Sequence, residues 1–177
     1  MKYTTNKTEA SNTETLSSDE LKAALAESER IGRQIYTGFN ERKLDLWDDV
    51  IASDVQLRST VGDQPQYGLE ALKNWTAEFH KAFQPRLDLV DEIYGVNRAT
   101  IAVNLIWQHV DEFFGLAPTG RKGTSIEYFI LTHAEGKVTH YWVADHSLDL
   151  ASYLTHERGL HYPQNFEPEP IIRGIDF

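Results

Sequence analysis

The chain carries seven histidines, His80, His109, His133, His140, His146, His156 and His161, and no cysteine. Histidine is the side chain that moves protons near neutral pH and binds metals through a neutral ring nitrogen. A metal pair on one element needs a spacing such as H-E-x-x-H or H-x-H, and neither occurs. No metal is expected. The lack of thiols removes disulfides, thiolate metal sites, iron–sulfur ligation and a cysteine nucleophile. The eleven glycines form neither G-x-G-x-x-G nor G-x-x-x-x-G-K-[ST], so the backbone cradles for dinucleotides and triphosphates are missing and no cofactor is expected. No G-x-S-x-G elbow presents a serine nucleophile. His109 shares strand parity with Ile101, Val103, Leu105 and Trp107, an apolar face that points inward. A structural histidine with satisfied nitrogens and a proton donor both fit that position.

Charge and length bound the partners. Lys and Arg number 17 against 27 Asp and Glu, a net charge of -10, with no basic cluster longer than a dipeptide. Such a field repels a phosphate backbone, so nucleic acid is not expected as a partner. No stretch approaches the roughly 20 apolar residues that span a bilayer, and residues 1–14 hold no apolar segment, so a soluble, cytoplasmic protein without membrane contact is expected. With 177 residues and 41% hydrophobic content, one core is the default.

The elements that must position these side chains are legible from period and punctuation. Residues 1–16 carry too few apolar positions to offset the entropy of ordering and read as a disordered arm. Ser17-x-x-Glu20 is a capping box, after which Leu21, Leu25, Ile31, Ile35 and Phe39 recur at helical steps until Asn40. A short helix around Leu44, Trp47, Val50 and Ile51 precedes a strand over 54–58. Leu69, Leu72, Trp75, Phe79 and Phe83 mark a third helix, stopped by Pro85. The period then becomes two: strands are expected over 86–94, 100–113, 122–133 and 137–146, antiparallel because their connections are short. Leu148, Leu150 and Leu154 suggest a terminal helix. The tail over 158–177 is Pro-rich yet apolar enough to pack on the domain or on a partner. Helices first and long strands afterwards make an α+β domain over 17–157, a curved antiparallel sheet wrapped around the helices.

The run His109-Val-Asp-Glu-Phe-Phe-Gly-Leu-Ala-Pro-Thr-Gly120 resembles the H-x-G-x-F-x-G-x-P-P-T-G segment of the SnoaL-like polyketide cyclases, also called ester cyclases. The likeness extends to Phe39-Asn40 before a Leu/Trp-rich turn, Gly68-Leu-Glu-Ala-Leu at the head of the third helix, Glu135-Gly136-Lys137-Val138 at the last hairpin, and Trp142 before a leucine-bearing end. The resemblance implies a cone-shaped barrel of the ketosteroid-isomerase-like superfamily, a homodimer, a deep apolar pocket and no cofactor. It implies aldol-type ring closure, in which an aspartate takes a proton beside a carbonyl and returns it to the new alkoxide. That chemistry needs a carboxyl of raised pKa and a donor to the enolate oxygen.

The family's catalytic aspartate falls at Val143 here, and a histidine that some cyclases carry falls at Phe129. Two carboxylates are candidates to replace it. If Ala134-Glu135-Gly136 is a three-residue loop, Phe129 pairs with Tyr141, Glu127 with Val143 and Ser125 with Asp145. Glu127 then faces the vacated position, while Asp145 shares a strand face with Val143. Either is expected as base, with His109 as donor. The structural alternatives are a helix cap for Asp145 and an ion pair with Arg58 or Arg121 for Glu127. Phe39, Arg58, Trp75, Phe79, Trp107, Phe129, Tyr141 and Val143 are expected to contact the ligand, a small apolar or aromatic metabolite. The expected function is cofactor-free proton transfer of cyclase, isomerase or lyase type on a small carbonyl compound. The rivals are a non-catalytic binder with the same pocket and an interaction domain whose pocket is filled by its own side chains.

Overall fold

The computed structural model describes residues 16–59, 66–113, 115–144, 150 and 154–155. Helix α1, Ser18–Asn40, starts where the capping box places it: the Ser17 hydroxyl accepts from the Glu20 amide at 3.3 Å, and the Glu20 carboxylate accepts from the Ser17 amide at 2.8 Å. Its far end is tied to the sheet. Asn40 donates to the Leu87 carbonyl and accepts from the Leu87 amide, both at 2.8 Å. A single 3-10 segment, Leu44–Asp49, then drops Trp47 onto the helix, where Gly38 leaves room for the indole and the Ile35 carbonyl accepts from Nε1 at 3.1 Å.

Strands β1 (Ile51–Ser59) and β2 (Gln66–Tyr67) lead into helix α2, Leu69–Phe83, which ends at left-handed Gln84 before Pro85. Strands β3 (Arg86–Tyr94), β4 (Arg98–Gln108), β5 (Lys122–Ala134) and β6 (Lys137–Ala144) complete one curved sheet in the order β2-β1-β6-β5-β4-β3. The expected antiparallel pairing holds from β3 to β6, but β1 joins β6 in parallel. Both helices lie on the concave side. Ile31, Ile35, Phe39, Leu72, Phe79 and Phe83 meet the odd-numbered residues Ala99 to Trp107 of β4 and Phe129 and Leu131 of β5. The even-numbered residues of these strands form the convex face, where Ile126, Tyr128 and Trp142 are exposed.

Two expectations are corrected. Strand β4 stops at Gln108 instead of running to 113, because the chain leaves the sheet to hook onto α2: the amides of Val110 and Asp111 donate to the Ala82 carbonyl at 2.8 and 3.3 Å. The β5–β6 register also differs. Glu135 and Gly136, at φ 51° and 76°, form a two-residue turn with both residues left-handed, so Ala134 faces Lys137 and His133 faces Val138. A bulge then skips Thr139, and Thr132 faces His140. Phe129, not Glu127, therefore stands opposite Val143, and Tyr141 stands opposite Leu131. The two shifts add to an even number, so each side chain keeps its face while its partner changes.

Candidate functional site

The concave face of β4, β5 and β6 carries the polar side chains Ser125, Glu127 and Tyr141, and at the hairpin end of β5 the buried His133, whose Nε2 meets the Ser28 hydroxyl of α1 at 2.7 Å. Glu127 lies opposite Val103 on one side and two residues from Phe129 on its own strand. It is half-buried, and the Ser125 hydroxyl donates to its Oε1 at 3.1 Å. Tyr141 is 3% exposed, with its ring 5.9 Å from Phe129 and 6.4 Å from Trp47. Burial, and after it the charge of Glu127, raise the phenol above its ordinary pKa. The hydroxyl therefore stays protonated. Val143 is half-buried beside Phe129, so Glu127, Phe129, Tyr141 and Val143 are brought together on one patch of two strands.

A second group of candidates gathers around α2. Trp75 is 44% exposed and lies flat on Phe79, at 5.2 Å and 7° between planes. Phe79 meets Phe83 at 4.9 Å, and Phe83 meets Trp107 edge-on at 5.7 Å. The Trp107 ring passes over Gly123, the residue opposite it on β5, where any Cβ would overlap the indole. Phe83 also stacks on His109 at 4.9 Å. This end is packed by its own rings.

His109 is fully buried there. The Thr119 amide donates to Nδ1 at 3.2 Å, with the Thr119 hydroxyl at 3.1 Å, and backbone hydrogen bonds join His109 to Gly120 and Arg121. Burial lowers its pKa, only partly offset by the Asp111 backbone, so the ring is neutral. A neutral ring that accepts at Nδ1 carries its proton on Nε2, and no described residue accepts from that atom. The imidazole thus anchors the 109–121 loop. It also stands just past the end of β4, six residues beyond Val103, the residue facing Glu127, or about 20 Å of extended chain. A base and a donor serving one carbonyl must each come within about 3 Å of it. Glu127 and His109 thus belong to separate parts of the domain's interior, one on the β5 patch and one at the α2 end.

Arg58 is also displaced. Parallel pairing sets it beside Trp142 on the convex face, its guanidinium 5.0 Å from the ring centre, and so it does not join the concave patch. Asp145 lies outside the described residues. Sequence reasoning passed over His80, which is buried on α2 edge-on to Phe39 at 4.4 Å. Its pKa is lowered to about 4, by burial first and the charge of Arg42 second, and its Nε2 has no partner among the described residues. The signal was present, since His80 follows Thr76 by four and precedes Phe83 by three on the apolar stripe. No group of three or more metal-ligating side chains occurs among the described residues.

The fold and this patch can be set beside known proteins. The family model for SnoaL-like polyketide cyclases matches residues 29–154. The chain belongs to the SnoaL-like polyketide cyclase family. Solved structures agree at the level of the fold. A candidate polyketide cyclase from Xanthomonas campestris pv. campestris aligns at a TM-score of 0.67 with 14% identity, covering 75% of this chain and 99% of that one. IdmH from Streptomyces antibioticus, described as a candidate polyketide cyclase, aligns at 0.59 with 18% identity over 68% and 93% of the two chains. A SnoaL-like protein from Jannaschia sp. CCS1 aligns at 0.63 with 14% identity over 71% and 91%. Among curated proteins, none matches the sequence. No helix among the described residues is long and apolar enough to cross a membrane.

Proposed function

We propose that this SnoaL-like protein binds a small, mostly apolar carbonyl compound on the concave face and moves a proton on it without a cofactor. The observation that carries this reading is Glu127: a carboxylate set among Val103, Phe129 and Val143, on the face that the helices cover. A carboxylate abstracts a proton next to a carbonyl without metal or nucleotide. Ser125 orients it by its hydroxyl. Asp145 remains the second candidate for the same role. The absence of an aspartate at position 143 favours one rival, a protein of the same fold that holds its ligand without turnover. The convex face is the proposed surface for a homodimer, with Ile126, Tyr128 and Trp142 between 41% and 49% exposed.

Deuterium exchange into an enolisable aryl ketone, such as 2-tetralone, separates these readings. The wild type should exchange the acidic position faster than buffer alone, and Glu127→Gln should lower that rate by about 100-fold or more, the ordinary range for a general base. Exchange that persists unchanged in both Glu127→Gln and Asp145→Asn defeats the carboxylate reading. Ketone binding with no catalysed exchange establishes the binder.

A further inference from the structure

Two buried side-chain atoms have no hydrogen-bond partner among the described residues, Nε2 of His109 and Nε2 of His80. The first belongs to a ring whose other nitrogen holds the 109–121 loop, which accounts for a histidine there. His80 has no such task. Its ring donates to the Phe39 carbonyl, but that carbonyl already accepts from the Arg42 amide at 3.2 Å. The side chain is 5% exposed, on the buried face of α2, where an apolar residue would leave no polar atom without hydration. A buried polar group of this kind calls for an explanation.

The tautomer defines what the free atom can do. With the ring proton on Nδ1, facing Phe39, Nε2 presents a lone pair. Burial, and after it the charge of Arg42, hold the ring neutral down to about pH 4, so at neutral pH it is no proton donor and only a weak base. His80 belongs to no group of three metal-ligating side chains among the described residues. What remains is the role of hydrogen-bond acceptor, and the surroundings select the donor. Arg42 repels a cation such as an ammonium, and burial disfavours any charge, so the donor is neutral. Phe39 lies edge-on to the imidazole at 4.4 Å, and Phe83 follows His80 by one turn of α2, which suits an aromatic body.

We propose that Nε2 of His80 accepts a hydrogen bond from the hydroxyl of a small aromatic ligand, a phenol or an aromatic enol, bound between α2 and the end of α1. This role rests on the reading of the helix-covered interior as a ligand site, but not on Glu127 as base, and it narrows the ligand to compounds that carry or form a neutral O–H group.

2-Naphthol and 2-methoxynaphthalene share a body, differ in the donor, and report binding by their own fluorescence. The wild type should bind the naphthol about 3- to 10-fold more tightly, the value of a neutral hydrogen bond, and His80→Phe should erase that preference while the methoxy compound still binds. In wild-type protein labelled with 15N-histidine, the Nε2 resonance of His80 should move upfield on adding naphthol and stay in place with the methoxy compound, a readout that needs no variant. A preference that persists in His80→Phe, or an Nε2 resonance that naphthol does not move, overturns the acceptor role. Equal wild-type affinity for the two compounds also overturns it and leaves the ligand site standing, whereas binding of neither removes both.

Discussion

Gly38→Ala sets two known effects against each other, and the structure decides the sign. Gly38 lies inside α1, where replacing glycine by alanine ordinarily stabilises a helix by about 1 kcal/mol. At this position the added Cβ would stand 2.5 Å from Nε1 and 2.8 Å from Cδ1 of Trp47, which is fully buried. The indole must move by roughly 1 Å to restore ordinary contact, which overpacks a filled core at about 1–3 kcal/mol. The same movement breaks the Nε1 hydrogen bond to Ile35 and strands a buried donor, another 1–3 kcal/mol or so. The net expectation is a loss of about 1–5 kcal/mol, read by urea denaturation at constant m, with Tm falling by about 2–4 °C for each kcal/mol. Gly32→Ala is the internal control. Its Cβ would meet only the side-chain ends of Ile101 and Tyr94, at 3.1 Å, which can give, so it should be close to neutral. In a Trp47→Phe background Gly38→Ala should cost much less, because the atoms it strikes are gone. A Gly38→Ala protein more stable than wild type, or an unchanged cost in that background, refutes the reasoning.

Two further outcomes follow from burial. His80 has a folded pKa near 4 against 6.5 for the free ring, so between those values the unfolded chain binds a proton more readily than the folded one. Stability should therefore be full above about pH 6.5 and fall by up to about 3 kcal/mol as pH drops towards 4. Denaturation midpoints of His80→Phe should show a shallower acid limb, with the part due to His109 and His133, both also lowered by burial, remaining; an identical limb contradicts the assignment. On the convex face, Tyr128→Glu should convert a dimer into monomer in sedimentation velocity without changing the secondary structure. A wild-type monomer, or a variant that stays dimeric, removes that face as the interface.

The parts of this fold that depend on local chemistry were legible, and those that depend on who pairs with whom were not. The capping box, the stripe from Leu69 to Phe83 and the stop at Pro85 predicted both helices closely, because each signal acts within one or two turns. Period two placed β3 and β5 to within a residue. The parallel β1–β6 pairing has no local signature, so the sequence alone did not show that Arg58 lies beside Trp142 on the convex face. The end of β4 was missed for a similar reason: His109 keeps the alternation of the strand, but its partner is Thr119 in a loop that a carbonyl of α2 holds. In the last hairpin, Glu135 takes a left-handed conformation that glycine and asparagine adopt more readily, so composition pointed to a longer loop than the one formed. That choice matters more for the chemistry than for the architecture. The bulge at Thr139 gives Phe129, an apolar ring, the place opposite Val143, and leaves Glu127 further along the strand with Ser125 as its neighbour.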